Sequence, residues 1–281
     1  MRIWPLALAG ALAAGSALAQ PTLDVRHAAA RITVIPEARD DVSVTVLKTN
    51  PRMPLRIRRE DGATIVEGPV REGLFGWTSL NCHGRMGGDH YVTGPGMERI
   101  DWNDLPQLVV RIPQRAKVRA GDAVWGVVGR GQGIELSAAG CGDWTVADQS
   151  GPLDISVSGS GDVHAGASNA AHVSISGSGD VSLTRVGAGL DAHIAGSGDI
   201  SAGEVDGQFA SHISGSGDVK VRGGAVDAMR AQVAGSGDVR FGGVARSLDA
   251  HIAGSGDVSV AKVTGEVSKS VAGSGEVTVG R

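Results

Sequence analysis

A Gly-Ser-Gly-Asp motif that returns at an almost constant interval constrains this chain more than any other feature. It appears as Gly159-Ser160-Gly161-Asp162, Gly177-Ser178-Gly179-Asp180 and Gly196-Ser197-Gly198-Asp199, then at Gly215 to Asp218, Gly235 to Asp238 and Gly254 to Asp257. A Glu variant, Gly273-Ser274-Gly275-Glu276, ends the series, and a degenerate copy, Gly140-Cys141-Gly142-Asp143, precedes it. The acidic residue falls at 143, 162, 180, 199, 218, 238, 257 and 276, in steps of 18 to 20 residues. A fixed period of this length marks stacked structural units.

One unit shows what is stacked. In Leu190-Asp191-Ala192-His193-Ile194-Ala195 the apolar Leu190, Ala192 and Ile194 alternate with more polar residues, the period of a half-buried strand. After the motif, Ile200 and Ala202 resume the same phase, and Leu248-Asp249-Ala250-His251-Ile252 repeats it before Gly254. The motif glycines, such as Gly196 and Gly198, are read as a corner able to take φ > 0. A helix is excluded, because each such glycine would cost about 1 kcal/mol in a helix interior. A propeller blade needs about 40 residues, twice the unit seen here. Coils this short bury their apolar face only against neighbouring coils.

The fold expected is therefore all-β: a parallel β-helix of about eight rungs of about 19 residues, about 38 Å long at about 4.8 Å per rung. Composition agrees, with 44 glycines in 281 residues and only 3% aromatics. Collagen would need glycine at every third position, and a 41% apolar content opposes disorder.

Residues 1–19 read as a secretory signal peptide. Arg2 supplies the charge, Ile3 to Ala14 the apolar stretch, and Ala17-Leu18-Ala19 the small-residue pattern for cleavage before Gln20. The stretch is too short to span a membrane, so no transmembrane segment is expected after cleavage. No cysteine follows the cleavage site to carry a lipid anchor. The expected location is periplasmic, secreted or at the cell surface. A net charge of −4 with scattered Lys and Arg excludes nucleic acid as partner, since phosphate binding needs a concentrated basic face.

Residues 20–115 read as a β-rich capping region and 116–281 as the solenoid. Strands are predicted at Arg31 to Ile35, Val42 to Val46, Leu55 to Arg58, Thr64 to Glu67 and Leu108 to Ile112, with an irregular insertion over 73–103. A solenoid end needs such a cover to hide its strand edge. Cys82 and Cys141 are expected to form a disulfide in an oxidising compartment, the alternative being two buried thiols.

Taken together, Ile32 to Val46, Leu108 to Pro113, Gly140-Cys141-Gly142-Asp143-Trp144 and the repeats resemble the family of auto-transporter adhesins with a head GIN domain. The resemblance implies a β-helical fold at the cell surface or in the periplasm and names no ligand. The chain reaches Val279-Gly280-Arg281 without a translocator barrel, so self-transport is not expected.

Four constellations could carry chemistry. Asp162, Asp180, Asp199, Asp218, Asp238, Asp257 and Glu276 should stack along one edge. Carboxylates about 5 Å apart repel by about 0.8 kcal/mol even at the dielectric of water, so something must offset them. Capping of each residue's own turn is the expected answer, and a Ca²⁺ ladder the alternative. Six residues before the acid runs a second row, Ser156, Ser174, His193, His212, Gln232, His251 and Ser270. It is read as a solvated polar ladder, with no carboxylate at the spacing a metal site needs. Asn81-Cys82-His83-Gly84-Arg85 with Asp89-His90 holds a thiol near imidazoles, but its disulfide partner argues against catalysis. Trp77, Tyr91, Trp102, Trp125 and Trp144 form an aromatic set, either a sugar platform or the packing of the cap.

The expected function is a non-enzymatic envelope protein, adhesin or scaffold, presenting polar solenoid edges to a protein or glycan. The alternatives are a Ca-binding repeat protein or a polysaccharide-acting β-helix enzyme. The regular rungs leave no loops to build a cleft, which disfavours the enzyme.

Overall fold

The computed structural model describes residues 20–70, 80–83, 90–94 and 97–280. The chain winds as a parallel β-solenoid of about nine turns, close to the eight rungs expected. Among the described residues 22 strands join one sheet, and a separate three-stranded antiparallel sheet is formed by Asn81–His83, Tyr91–Gly94 and Met97–Asp101.

Each turn of the repeat is a strand, a corner and a second strand. Leu190–Gly196 leads through the motif into Ile200–Val205, and the next turn repeats this with Gly207–Gly215 and Val219–Gly223. Because the step is constant, equivalent residues meet: Leu190 pairs with Phe209, Ile194 with Ile213 and Gly196 with Gly215. The inward residues Leu190, Ala192, Ile194, Ile200 and Ala202 are buried, while their neighbours along the chain face solvent. One apolar core runs from Leu23 to Val277 and includes Phe209 and Phe241, whose rings lie 5.7 Å apart.

The two motif glycines are required for different reasons. The first has a left-handed φ, +154° at Gly196, and a Cβ there would lie 2.2 Å from the carbonyl oxygen of Gly177 one turn away. That carbonyl accepts two hydrogen bonds, from the amides of Ser197 and Gly198, so it cannot move aside. The second glycine does not take positive φ, contrary to the reading from sequence. What excludes a side chain at Gly198 is the Gly179 carbonyl, 2.1 Å from the place of its Cβ.

The five strands expected upstream of residue 116 are present, but Thr22–Arg26 was not expected, and the stretch 73–103, read as irregular, carries the antiparallel sheet. The upstream strands are arranged out of chain order. Thr22–Arg26 lies between Lys117 to Ala120 on one side and Ala63–Glu67 on the other, parallel to both. Its continuation, Ala29–Glu37, lies between Ala123 to Val128 and Gln107–Pro113. The first strands of the described chain thus form an interior turn of the solenoid, and later segments cover them. Two antiparallel strands then end the stack. Ser43–Lys48 pairs with Gln107–Pro113, and Arg56–Glu60 with Ala63–Glu67. The Arg-Ile-Arg-Arg-Glu strand is exposed throughout, and its charges oppose pairing with another chain.

At the opposite end, Val267–Gly273 pairs only with the turn before it. Lys269 stands in register with Ala250, in the inward row that Ala231 and Ala192 occupy in earlier turns. A charge in an inward row makes further stacking costly, a device that natural edge strands use.

Candidate functional site

The Trp102–Trp125 pair sits where the antiparallel sheet meets the solenoid. Trp125 lies on Arg115–Val128 beside Arg31, and Arg31 is in turn beside Gln107, so three adjacent strands present these side chains side by side. Trp102 opens the 3-10 helix Trp102–Asp104 and meets Trp125 edge to face, with centroids 5.0 Å apart at 81°. The Arg31 guanidinium lies 4.7 Å over the Trp102 ring, a cation–π contact. Both indoles also pack against a second core of Ala29, Met53, Leu80, Val92, Ile100, Leu105 and Ala123, which fixes their positions.

The result is a groove of about 330 Å³ lined by Arg31, Trp102, Trp125, Leu47 and Val127, with Asp143, Gln107 and Thr145 supplying polar groups. Leu47 is 64% exposed and Val127 51%. Two such residues at one mouth, beside two indoles, leave apolar area that nothing in the described chain covers.

The aromatic set read from the sequence therefore divides. Trp102 and Trp125 build the groove. Trp144 does not: it is 1% exposed and belongs to the solenoid core. Its ring lies against Gly126, its register partner, where a Cβ would come 2.1 Å from the indole. That correction has a simple physical cause, since Trp144 falls on the inward parity of its strand. Tyr91 lies on the antiparallel sheet, stacked at 4.7 Å on His83 and covered by the Arg99 guanidinium at 3.9 Å. Trp77 lies outside the described residues, as do Arg85 and Asp89. Arg31, Leu47 and Val127 were not singled out from sequence, and Asp143 only as the acid of the degenerate motif; the outward parity of Arg31, Trp125 and Val127 on neighbouring strands was the available signal.

Cys82 and Cys141, 59 positions apart in sequence, are joined as a disulfide, with Cα atoms 5.8 Å apart. Cys141 stands where every later motif has serine, so the staple ties the antiparallel sheet to a solenoid corner. Cys82 accordingly has no thiol to serve as a nucleophile.

The acidic ladder is in place, but its hydrogen bonds run between turns and not within them. Asp143 Oδ1 accepts the Asp162 amide at 3.0 Å, and Asp180, Asp199 and Asp218 each donate to the acid one turn earlier at 2.9, 2.8 and 2.7 Å. The pattern continues through Asp238 and Asp257 to the Glu276 amide. Arg240 offsets charge locally, 2.6 Å from Asp238 Oδ2 and 3.7 Å from Asp218 Oδ2. Asp122, one turn before the motifs begin, gives its carboxylate to the His27 amide at 2.9 Å, and burial raises its pKa above the usual carboxylate value.

With Oδ1 of each Asp engaged, thermal unfolding in EDTA and then in millimolar Ca²⁺ is expected to give superimposable curves. A rise of several degrees would instead make the ladder an ion-binding edge. Asp199→Ala, which strands the Asp218 amide, is expected to cost about 1–2 kcal/mol in either medium.

The family described as "Putative auto-transporter adhesin, head GIN domain" matches over residues 87–204 and 188–280. Two solved structures each cover 92% of this chain and 92% of their own length. One is a putative lipid binding protein from Parabacteroides distasonis ATCC 8503, with a TM-score of 0.47 and 16% identity. The other is a putative adhesin from Bacteroides fragilis NCTC 9343, with a TM-score of 0.47 and 14% identity. No curated protein matches the sequence. The family match extends over residues 87 to 280 of 281, on a solenoid whose repeats it includes, and the chain belongs to this head GIN domain family.

Proposed function

We propose that this is a non-enzymatic, exported cell-envelope protein whose solenoid holds a glycan-binding groove at Trp102 and Trp125. The observation that carries the reading is the pair of indoles fixed at 5.0 Å beside Arg31, in a groove with exposed apolar walls and a few polar groups. A pyranose ring offers an apolar face for an indole and hydroxyls for Arg31, Gln107 and Asp143, which is the mixture such sites use. Asp143 is the one carboxylate lining the groove among the described residues, and its Oδ1 already holds the Asp162 amide. Glycoside hydrolysis takes two carboxyl groups, so binding without cleavage fits the lining better. Export is supported by the leader-like residues 1–19 and by the disulfide, a bond favoured in oxidising compartments.

The test is a glycan array spanning bacterial envelope and host-surface oligosaccharides, followed by tryptophan-fluorescence titration with the best binder. Trp102→Ala and Trp125→Ala are each expected to weaken binding by about tenfold or more while the far-ultraviolet β signal of the solenoid is kept. An array without any binder, or a binder that tolerates both substitutions, would overturn the glycan reading.

A further inference from the structure

His172 begins a strand face that its neighbours complete. It lies on Ala171–Gly177, in register with Asp191 of Leu190–Gly196, and His193 follows Asp191 by two residues and so shares its face. His172 Nδ1 is 3.3 Å from Asp191 Oδ2, and His193 Nε2 is 2.9 Å from Asp191 Oδ1. Among the described residues these three are the one group of His, Cys, Asp or Glu whose donor atoms all lie within 4.8 Å of one another.

The two His–carboxylate separations are those of groups able to share an ion. Donors about 2.0–2.2 Å from a metal stand about 2.8–3.6 Å apart at octahedral or tetrahedral angles. Asp191 Oδ1 is buried and accepts no hydrogen bond, although His193 Nε2 is 2.9 Å away. The His212 ring stacks on His193 at 4.7 Å and 3°, placing another imidazole on the next turn.

We infer that His172, Asp191 and His193 bind one divalent first-row transition-metal ion of the Zn²⁺ class. Two imidazoles and a carboxylate suit such ions, whereas Ca²⁺ and Mg²⁺ take oxygen donors. The side chains are 39–47% exposed, which leaves coordination positions open to water or to a ligand from solution. The site is independent of the aromatic groove and of the acidic ladder.

The molecule contains its own control. Leu248-Asp249-Ala250-His251-Ile252 repeats the sequence of Leu190 to Ile194, and Asp249 Oδ1 again lies 3.0 Å from His251 Nε2. The residue in register with Asp249 on the preceding turn is Arg230, not histidine, and its Nε lies 3.6 Å from Asp249 Oδ2. A guanidinium there neutralises the carboxylate and repels a cation, so this second copy lacks both the third donor and the charge.

Isothermal titration of ZnCl2 into protein free of any polyhistidine tag tests the assignment. One ion per chain is expected, with Asp191→Asn, His193→Ala and the size-conserving His193→Gln each weakening binding by about tenfold or more. His251→Ala and Asp249→Asn should leave it unchanged, and Arg230→His should add a second ion. Thermal unfolding in EDTA, unchanged in these variants, shows that the fold is retained. Absence of saturable binding below about 1 mM Zn²⁺, or equal losses from His251→Ala and His193→Ala, would overturn the site.

Discussion

Gly196→Ala is expected to destabilise the solenoid by about 3 kcal/mol or more. The left-handed backbone alone costs an L-residue about 1–2 kcal/mol, and overpacking adds about 1–3. The added methyl would sit 2.2 Å from the Gly177 oxygen, the acceptor of two amides. Relief requires lifting one turn from the next, which breaks pairing on both sides of the corner. Gly223→Ala is the matched control: its φ is not positive, and nothing lies within 4 Å of a Cβ there. That substitution should change stability by a few tenths of a kcal/mol, or raise it by up to about 1. Thermal and denaturant unfolding of the two variants decide the matter, and similar losses in both would refute the account of the corner. Because turns stack as a one-dimensional array, Gly196→Ala should also broaden the transition, as the halves on either side uncouple.

Removing the Cys82–Cys141 bond should have an effect of similar size confined to a different part of the molecule. Closing a loop of 59 residues stabilises by about 4 kcal/mol in the chain-entropy model. Cys141→Ser introduces the residue that Ser160, Ser178 and Ser197 already carry at the same corner position, so the corner itself should tolerate it. The loss then falls on the antiparallel sheet Asn81–His83, Tyr91–Gly94 and Met97–Asp101, which otherwise joins the solenoid through a small core. The expected signature is early proteolysis between residues 80 and 101 and altered Trp102 fluorescence, with the far-ultraviolet β signal of the solenoid kept. Cooperative loss of both signals would show that the staple supports the whole rod.

The groove and the His–Asp cluster were readable from the chain to different degrees. His172 lies eight residues before Asp180, and Asp191 eight before Asp199, so a count from the acidic position puts them on one row. The sequence reading followed only the row of His193 and His212 and so found no carboxylate for them. Trp144, by contrast, was grouped with a candidate binding cap although the alternation Trp144, Val146 puts it inward with the core. The partners of Trp102 had no comparable signal, because that residue reaches Trp125 through the packing of a separate sheet.

The repeat by itself determined the solenoid, its parallel pairing, its register and which residues face the core. With a step of 18 to 20 residues, each side chain meets its own counterpart, and local pattern becomes tertiary contact. Tertiary structure alone decided the order of the first turns, where Thr22–Arg26 lies between strands that follow it in the chain. It also decided that each aspartate serves the next turn, at Asp180 to Asp199 for instance, and not its own. The reason is common to both. A period states which residues are equivalent, but a carboxylate oxygen chooses among amides by distance, and an aperiodic strand finds its neighbours only when the loops between them close.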